Sequence, residues 1–235
     1  MKLKSLALRA AKATAYSLQR QPLPERHVLV GVPYFSQWES RELAGQILDE
    51  RLSAADDPNW KASGAKTRQE YNAWSWSGCG MACTKMILAH RTGTIMPLVT
   101  LGKQCRAYGG YTMPLETSIG LRYKPYLQFV EQVLQWQAHI IVGAPRRQLL
   151  QELGQGNYVI ASVSPLIRRP ESSPQTRGGH LVLLLGYDLR LQEFYLHDPS
   201  GDTKETQEYA TISFAAFKKF FSGRGIVVSG GAVRG

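Results

Sequence analysis

Three apolar segments dominate the C-terminal half of the chain: Tyr158–Val163, Leu181–Tyr187 and Glu193–Asp198. Short runs rich in Val, Ile, Leu and aromatic residues are typical of β-strands with buried side chains. The N-terminal half instead spaces its apolar residues as amphipathic helices do. Because the predicted helices precede a block of neighbouring strands, the sequence favours an α+β fold in which a helical half packs on an antiparallel sheet.

The helical prediction rests mainly on patterns before residue 154. Residues 39–75 carry an apolar helical face and, at Thr67 and Glu70, a capping pair for a short helix. A longer helix is predicted from Cys79 to Thr92, with Gly93 as its stop. Other predicted elements are strands at 27–32, 139–142 and 225–228 and helices at 97–106, 146–153 and 211–221.

The cysteine content bears on compartment and cofactors. Cys79, Cys83 and Cys105 are an odd number without Cys-x-x-Cys spacing, so neither a disulfide framework nor a zinc site is indicated. We expect free thiols in a reducing compartment and no metal or organic cofactor. With 235 residues, the chain can form one full core, and a single domain is predicted over 25–235 with a helical insertion at about 39–75.

The first twenty residues are strongly basic. They carry five of the positive charges behind a net charge of +10, and the first acidic residue is Glu25. Residues 1–24 are predicted to be a basic leader or flexible arm, and its apolar spacing allows an amphipathic helix over 2–19. Such a helix would contact an anionic membrane surface or a partner, or would dock as an ordinary first helix.

The same charge distribution limits the expected partners and location. Because the positive charge is concentrated in the leader and no recognition motif is found, nucleic acid is not an expected partner. No apolar run has the length of a membrane span, and Arg9 interrupts the leader too early for a secretory signal peptide. A cytoplasmic protein is therefore expected, with signal-independent export left open.

Cys79 is the first candidate for chemistry. It lies between Gly78 and Gly80 at the predicted start of a helix, where the first-turn amides favour a thiolate nucleophile. The two glycines would let a substrate backbone come close. A buried cysteine that only packs is the alternative for such a motif alone.

His180 and Asp198 are the second and third candidates. His180 follows two glycines at the start of a predicted strand, and Asp198 ends the next strand before a turn. If the two strands pair as a hairpin, the carboxylate comes within reach of the imidazole, and a Cys-His-Asp triad with Cys79 can form. A turn-forming aspartate and a capping or core histidine are the alternatives. His197 is a rival base, but neighbours on a strand face opposite ways, so only one of His197 and Asp198 can face Cys79.

Gln37 lies in an otherwise aromatic loop, Pro33–Trp38. A glutamine there needs partners for its amide, and one use of that amide is to donate a hydrogen bond to a developing oxyanion. A structural glutamine with satisfied hydrogen bonds is the alternative.

Four motifs taken in order resemble the C39-like cysteine peptidases. They are Val32-Pro33-Tyr34-Phe35-Ser36-Gln37, Gly78-Cys79-Gly80-Met81, Gly178-Gly179-His180-Leu181-Val182 and His197-Asp198-Pro199-Ser200-Gly201. The resemblance spans about Val28 to Val228. It implies a papain-like fold and a thiol peptidase with Cys79 as nucleophile, His180 as base, Asp198 as the residue that orients it and Gln37 in the oxyanion hole.

Two departures from that family limit what carries over. The best-known members are fused to transporters and trim leader peptides after a double glycine, whereas this sequence has no membrane spans and no ATP-binding loop. Gln37 also precedes Cys79 by 42 residues (79 minus 37), a longer gap than papain-like enzymes usually have.

We therefore expect a thiol-dependent hydrolase that cleaves peptide bonds of a peptide or protein substrate through an acyl-enzyme. Two alternatives stay open. One is an amidase or an acyl or amine transferase on the same scaffold. The other is a catalytically silent peptide-binding module that the basic leader docks to a membrane or a partner.

Overall fold

The computed structural model describes residues 22–114 and 120–231. The predicted leader helix over 2–19 lies outside the described residues. Among the described residues, no helix combines the length and apolar character that a membrane span requires.

An antiparallel sheet with strands of different lengths forms the centre of the fold. In the described parts of the chain it has seven strands, in the order β2-β7-β3-β4-β5-β6, and β1 pairs with the end of β4 beyond β3. The strands are β1 (Arg26–Val28), β2 (Ala138–Val142), β3 (Tyr158–Val163), β4 (His180–Asp188), β5 (Glu193–His197), β6 (Ala210–Ser213) and β7 (Phe221–Val228).

Helices cover both faces of this sheet, which confirms the predicted α+β class. Every residue of β4 is buried, because side chains of both orientations have a helical layer above them. The helices are α1 (Ala44–Leu48), α2 (Arg68–Ser77), α3 (Cys79–Thr92), α4 (Leu98–Ala107), α5 (Tyr123–Gln132), α6 (Arg146–Gly154), α7 (Lys204–Gln207) and α8 (Phe214–Phe220).

The two faces of the sheet form separate cores. Leu181, Leu183 and Leu185 of β4 join the core made with α2 to α5. Val182 and Leu184, which alternate with them, join the core made with α6 and α8. Each fully buried leucine or valine stabilises the fold by about 2 kcal/mol relative to an exposed one. Helices α2 to α5 therefore lie on one face, and α6, which was predicted as part of the helical half, lies with α8 on the other.

Three predicted elements are wrong in extent, and one of them, the strand predicted at 225–228, begins already at Phe221 as β7. The strand predicted at 27–32 ends at Val28, and the chain turns away at Gly31, whose φ is +74°. The helix predicted over 211–221 begins only at Phe214, because Ala210–Ser213 pairs with β5 as a strand. The Ser213 hydroxyl then accepts a hydrogen bond from the Ala216 amide and caps α8.

Residues 39–77 form short helical pieces joined by one buried carboxylate. Asp57 is fully buried, and its two oxygens accept hydrogen bonds from the Ser40 amide and hydroxyl, the Asn59 amide and the Tyr71 hydroxyl. These bonds tie the loop after Gln37 to α2, which runs directly into α3. The segment thereby returns the chain from the aromatic loop to Cys79.

Candidate active site

Cys79 is the first residue of α3 and is half-buried. The first helical hydrogen bond runs from the Ala82 amide to the Gly78 carbonyl, at 2.8 Å. The amides of residues 79–81 therefore have no acceptor within α3, and their dipoles favour negative charge at this helix end.

The glycines on either side of Cys79 are needed for packing inside the protein. A Cβ on Gly78 would lie 3.1 Å from the Leu98 side chain, and a Cβ on Gly80 would lie 2.8 Å from Leu121 and 3.0 Å from Leu181. Packing inside the protein is thus one reason for both glycines. They let α3 approach α4 on one side and β4 on the other.

His180 is the first residue of β4 and is 5% exposed. Gly178 and Gly179 precede it with φ values of +100° and +92°, a conformation that other residues rarely adopt. This turn starts the strand at His180, opposite Val163 of β3. The imidazole thereby lies at the end of an inner strand, on the side of the N-terminus of α3.

Asp198 follows the last residue of β5, the strand that pairs antiparallel with β4. The predicted hairpin pairing is confirmed, and it brings Asp198 beside His180. The His180 Nε2 lies 2.7 Å from Asp198 Oδ1, and both side chains are almost fully buried. Because Nε2 is hydrogen-bonded to the carboxylate, Nδ1 is the ring nitrogen that remains for Cys79, whose side chain contributes to the raised pKa of His180.

Charge stabilises this pair in its ionised form. Burial alone lowers the pKa of the His180 imidazole, but the negative charge and hydrogen bond of Asp198, together with Cys79, outweigh burial and raise that pKa to about 9. Burial likewise raises the pKa of the Asp198 carboxyl, but the positive charge of His180 and its hydrogen bonds hold that pKa below its usual range. An imidazolium and a carboxylate therefore face each other at neutral pH.

Ser200 and Arg168 complete the surroundings of the pair, and the sequence analysis did not select them. The Ser200 hydroxyl lies 3.1 Å from His180 Nε2 and 3.2 Å from Asp198 Oδ1, and its amide donates to the same Oδ1 at 2.8 Å. Arg168 donates to the Ser200 hydroxyl at 2.6 Å and to its carbonyl at 2.8 Å. The sequence Asp198-Pro199-Ser200-Gly201 signals the turn itself, but no pattern signals the contact with Arg168.

His197 does not reach the site. Its Nε2 donates to the Val32 carbonyl at 3.0 Å, and its Nδ1 accepts from the Tyr209 amide at 2.9 Å. These bonds fix one neutral tautomer, and burial lowers the pKa of the ring to about 4. The rival base is therefore a structural histidine on the other side of β5.

Gln37 is held next to the turn that carries Asp198. The backbone amide of Gln37 donates to the Pro199 carbonyl at 2.9 Å, and the Ser36 hydroxyl donates to the same carbonyl. The Tyr34 hydroxyl donates to the Asp198 carbonyl. Gln37 is 5% exposed, and its Oε1 is buried without a hydrogen-bond partner. It is not among the described residues that line the cleft at Cys79.

A cleft of about 510 Å³ opens beside Cys79 and His180, between α5 and the ends of β2, β3 and β7. Tyr123 lies inside it. Its phenol is hydrogen-bonded to Ser162 and interacts with the charges of Arg224 and Cys79. No cluster of metal-ligating side chains occurs within residues 22–114 and 120–231. The lining residues are Cys79, Gly120, Leu121, Arg122, Tyr123, Lys124, Pro125, Ile140, Val142, Ser162, Gly179, His180, Leu181 and Arg224.

Known proteins match most of the described chain. The model of the Peptidase_C39 like family matches residues 30–226. Among solved structures, the peptidase domain of Streptococcus ComA, a bi-functional ABC transporter involved in a quorum sensing pathway, is 13% identical with a TM-score of 0.44. That likeness covers 65% of this chain and 91% of the other.

A second solved structure is described as a C39-like peptidase from Bacillus anthracis. It is 14% identical with a TM-score of 0.43, and the likeness covers 87% of this chain and 98% of the other. Likenesses at this level do not bear on activity. Among curated proteins, no sequence matches the chain.

Proposed function

Because the chain belongs to the Peptidase_C39 like family, we propose that it hydrolyses peptide bonds with Cys79, His180 and Asp198 as its catalytic residues. One observation carries the proposal. His180 is hydrogen-bonded through Nε2 to a buried carboxylate, at 2.7 Å, and interacts on its other side with a cysteine at a helix N-terminus. That is the arrangement in which an imidazole activates a thiol.

The reaction proceeds in two steps. The Cys79 thiolate attacks the carbonyl carbon of the scissile bond, and the His180 imidazolium gives its proton to the leaving amine as the C–N bond breaks. This leaves a thioester on Cys79 and a neutral His180. Water then attacks the thioester carbonyl, His180 takes a proton from it, and the thiolate leaves as the carboxylic product forms.

Asp198 orients His180 and stabilises the imidazolium. Ser200 keeps the carboxylate and the ring in a fixed relative orientation. Arg168 in turn holds Ser200 by two hydrogen bonds. The backbone amide of Cys79 is the proposed first donor to the oxyanion of the tetrahedral intermediate. The Gln37 side chain is the proposed second donor, since its backbone is fixed on Pro199, beside Asp198.

The test is cleavage of a defined peptide mixture, followed by mass spectrometry. Wild-type protein should cut a subset of peptides, and Cys79→Ala should cut none. Cys105→Ala is the matched control, because Cys105 is a buried thiol whose pKa burial raises to about 12. It should retain cleavage. Loss of cleavage in both variants, or in neither, contradicts the proposed role of Cys79.

The same assay separates hydrolysis from the two alternatives. A primary amine added to the mixture should leave free carboxylate products in the majority. A majority of amide-linked products would indicate acyl transfer. Peptides that bind without being cut, with Cys79 as unreactive as a buried thiol, would indicate a binding module.

The oxyanion proposal has its own readout. Gln37→Ala should lower peptide hydrolysis by about a hundredfold and leave alkylation of Cys79 nearly unchanged, because alkylation forms no oxyanion. Equal loss of both rates would mean that Gln37 supports the structure of the site instead.

A further inference from the structure

Building on the proposed peptidase function, we propose that the cleft selects substrates with a carboxylate close to the scissile bond, and that Arg224 binds this carboxylate. The cleft takes its charge from Arg122, Lys124 and Arg224. None of the lining residues that the structure describes is an aspartate or a glutamate.

These three cations lack carboxylate partners in the part of the chain that the structure describes. Some cations elsewhere in the described chain are paired with carboxylates. Arg41 pairs with Glu208 at 3.0 Å, for example, and Lys103 pairs with Glu70 at 2.8 Å. Of the cleft cations, Arg122 donates to the Gly109 carbonyl, at 3.3 Å. A group of like charges with no counter-charge among the described lining residues gives the cleft a positive potential, which attracts anionic substrate groups.

Arg224 is the cleft cation that lies beside the turn before His180. It lies on β7 opposite Val142, and its charge acts on the Tyr123 phenol, which also interacts with Cys79. Its Nη2 lies 3.7 Å from the place of a Cβ on Gly178, two residues before His180. The guanidinium therefore lies beside the turn that leads into His180, and its charge acts on Tyr123.

The chemistry of the group fits a carboxylate. A guanidinium presents two parallel N–H donors that match the two oxygens of a carboxylate. The carboxylate has two sources, an acidic side chain near the scissile bond or the C-terminal carboxylate of a short peptide. Leu121, Ile140 and Val142 supply the apolar wall of the cleft.

The first test compares alkylation of Cys79 by iodoacetate, an anion, with alkylation by neutral iodoacetamide. Cys83 and Cys105 are buried with raised pKa values, so both reagents report on Cys79. Arg224→Gln should lower the ratio of the iodoacetate rate to the iodoacetamide rate about fivefold. Arg190→Gln, which removes an exposed arginine 3.6 Å from Glu25, should leave the ratio unchanged. The wild-type ratio should also fall as salt is added.

The outcomes separate the proposed role of Arg224 from the peptidase function on which it rests. A ratio that is the same in wild type and Arg224→Gln, with Cys79 labelling still dependent on His180, overturns the role of Arg224 and leaves the peptidase proposal intact. Labelling of Cys79 that does not depend on His180 overturns both.

The second test identifies the source of the carboxylate with peptide libraries whose C-termini are free or amidated. Enrichment of Asp or Glu near the cut bonds in both libraries assigns the acidic side chain. Cleavage confined to free C-termini assigns the terminal carboxylate. In either case Arg224→Glu should reverse the preference toward Lys or amidated ends. Cut sites with no carboxylate preference in the wild type contradict the proposal.

Discussion

His180 and His197 lie on adjacent strands, are both buried, and have opposite acid-base properties. His180 contacts a carboxylate and a thiol, and its pKa is raised to about 9. His197 contacts a carbonyl and an amide, and burial lowers its pKa to about 4. Burial therefore lowers the pKa of an imidazole unless a charged partner is buried with it. The difference explains why one histidine is suited to thiol chemistry and the other ties the loop at Val32 to the segment at Tyr209.

The largest expected effect concerns the reactivity of Cys79. His180→Gln should slow alkylation of Cys79 by iodoacetamide at pH 6 about two hundredfold, because an unpaired thiol is almost entirely protonated there. His197→Gln should keep most of the rate in the folded protein. The rates are measured by mass spectrometry of the labelled peptide, with circular dichroism as the check on folding. Equal loss in both variants would break the comparison.

The second effect is on stability, with opposite signs for the two rings. The pKa of His197 is lowered from 6.5 to about 4, so the unfolded chain binds the extra proton in that range. The contribution of His197 to the unfolding free energy is complete above pH 6.5 and falls by about 3 kcal/mol as the pH drops to 4. Urea unfolding of wild type and His197→Gln across this range should show the loss only in the wild type.

For His180 the sign reverses. Its pKa is raised from 6.5 to about 9, so the folded protein binds the extra proton. The stabilisation is present below pH 6.5 and is lost as the pH rises through 9. The unfolding free energy of the wild type should therefore fall between pH 7 and 9 more steeply than that of His180→Gln. Parallel curves would contradict the assignment of this proton to His180.

A smaller effect tests why the two rings differ. Asp198→Asn removes the charge that raises the pKa of His180, so alkylation of Cys79 at pH 7 should slow about tenfold. Asp57→Asn is the matched control, because Asp57 is equally buried but lies in the segment before α2. That variant should lose stability and keep the Cys79 rate once folded.

The smallest effect concerns Ser200. Ser200→Ala removes a hydroxyl 3.1 Å from His180 Nε2 but keeps the carboxylate, so the alkylation rate should fall about threefold. A loss as large as that in Asp198→Asn would mean that the hydroxyl, and not the carboxylate, fixes the ring. Ser53→Ala, which removes an exposed capping hydroxyl, is the control.

The sequence was sufficient for the central strands because their apolar runs are continuous. It also located Cys79, His180 and Asp198, because each lies at the end of a helix or strand, where a change of pattern marks the position. It failed at 211–221, where apolar spacing fits a helix but pairing with β5 makes Ala210–Ser213 a strand. Local pattern does not contain that long-range contact.

The surroundings of the three candidate residues were less accessible from sequence. Arg168 comes from the loop between β3 and β4, and Arg224 comes from β7. Neither is near Cys79 or His180 along the chain, so only the folded structure shows their contacts. The role of His197 likewise depends on two hydrogen bonds, to Val32 and Tyr209, that only the folded chain makes.

The most direct test is a pH titration of the histidine side chains by nuclear magnetic resonance in the wild-type protein. His180→Gln and His197→Gln assign the two signals. We expect His180 to titrate with a midpoint near 9 and His197 to stay neutral until the pH approaches 4. A His180 midpoint at or below 6.5 would mean that no imidazolium is held between Asp198 and Cys79, and would contradict the proposed catalytic site.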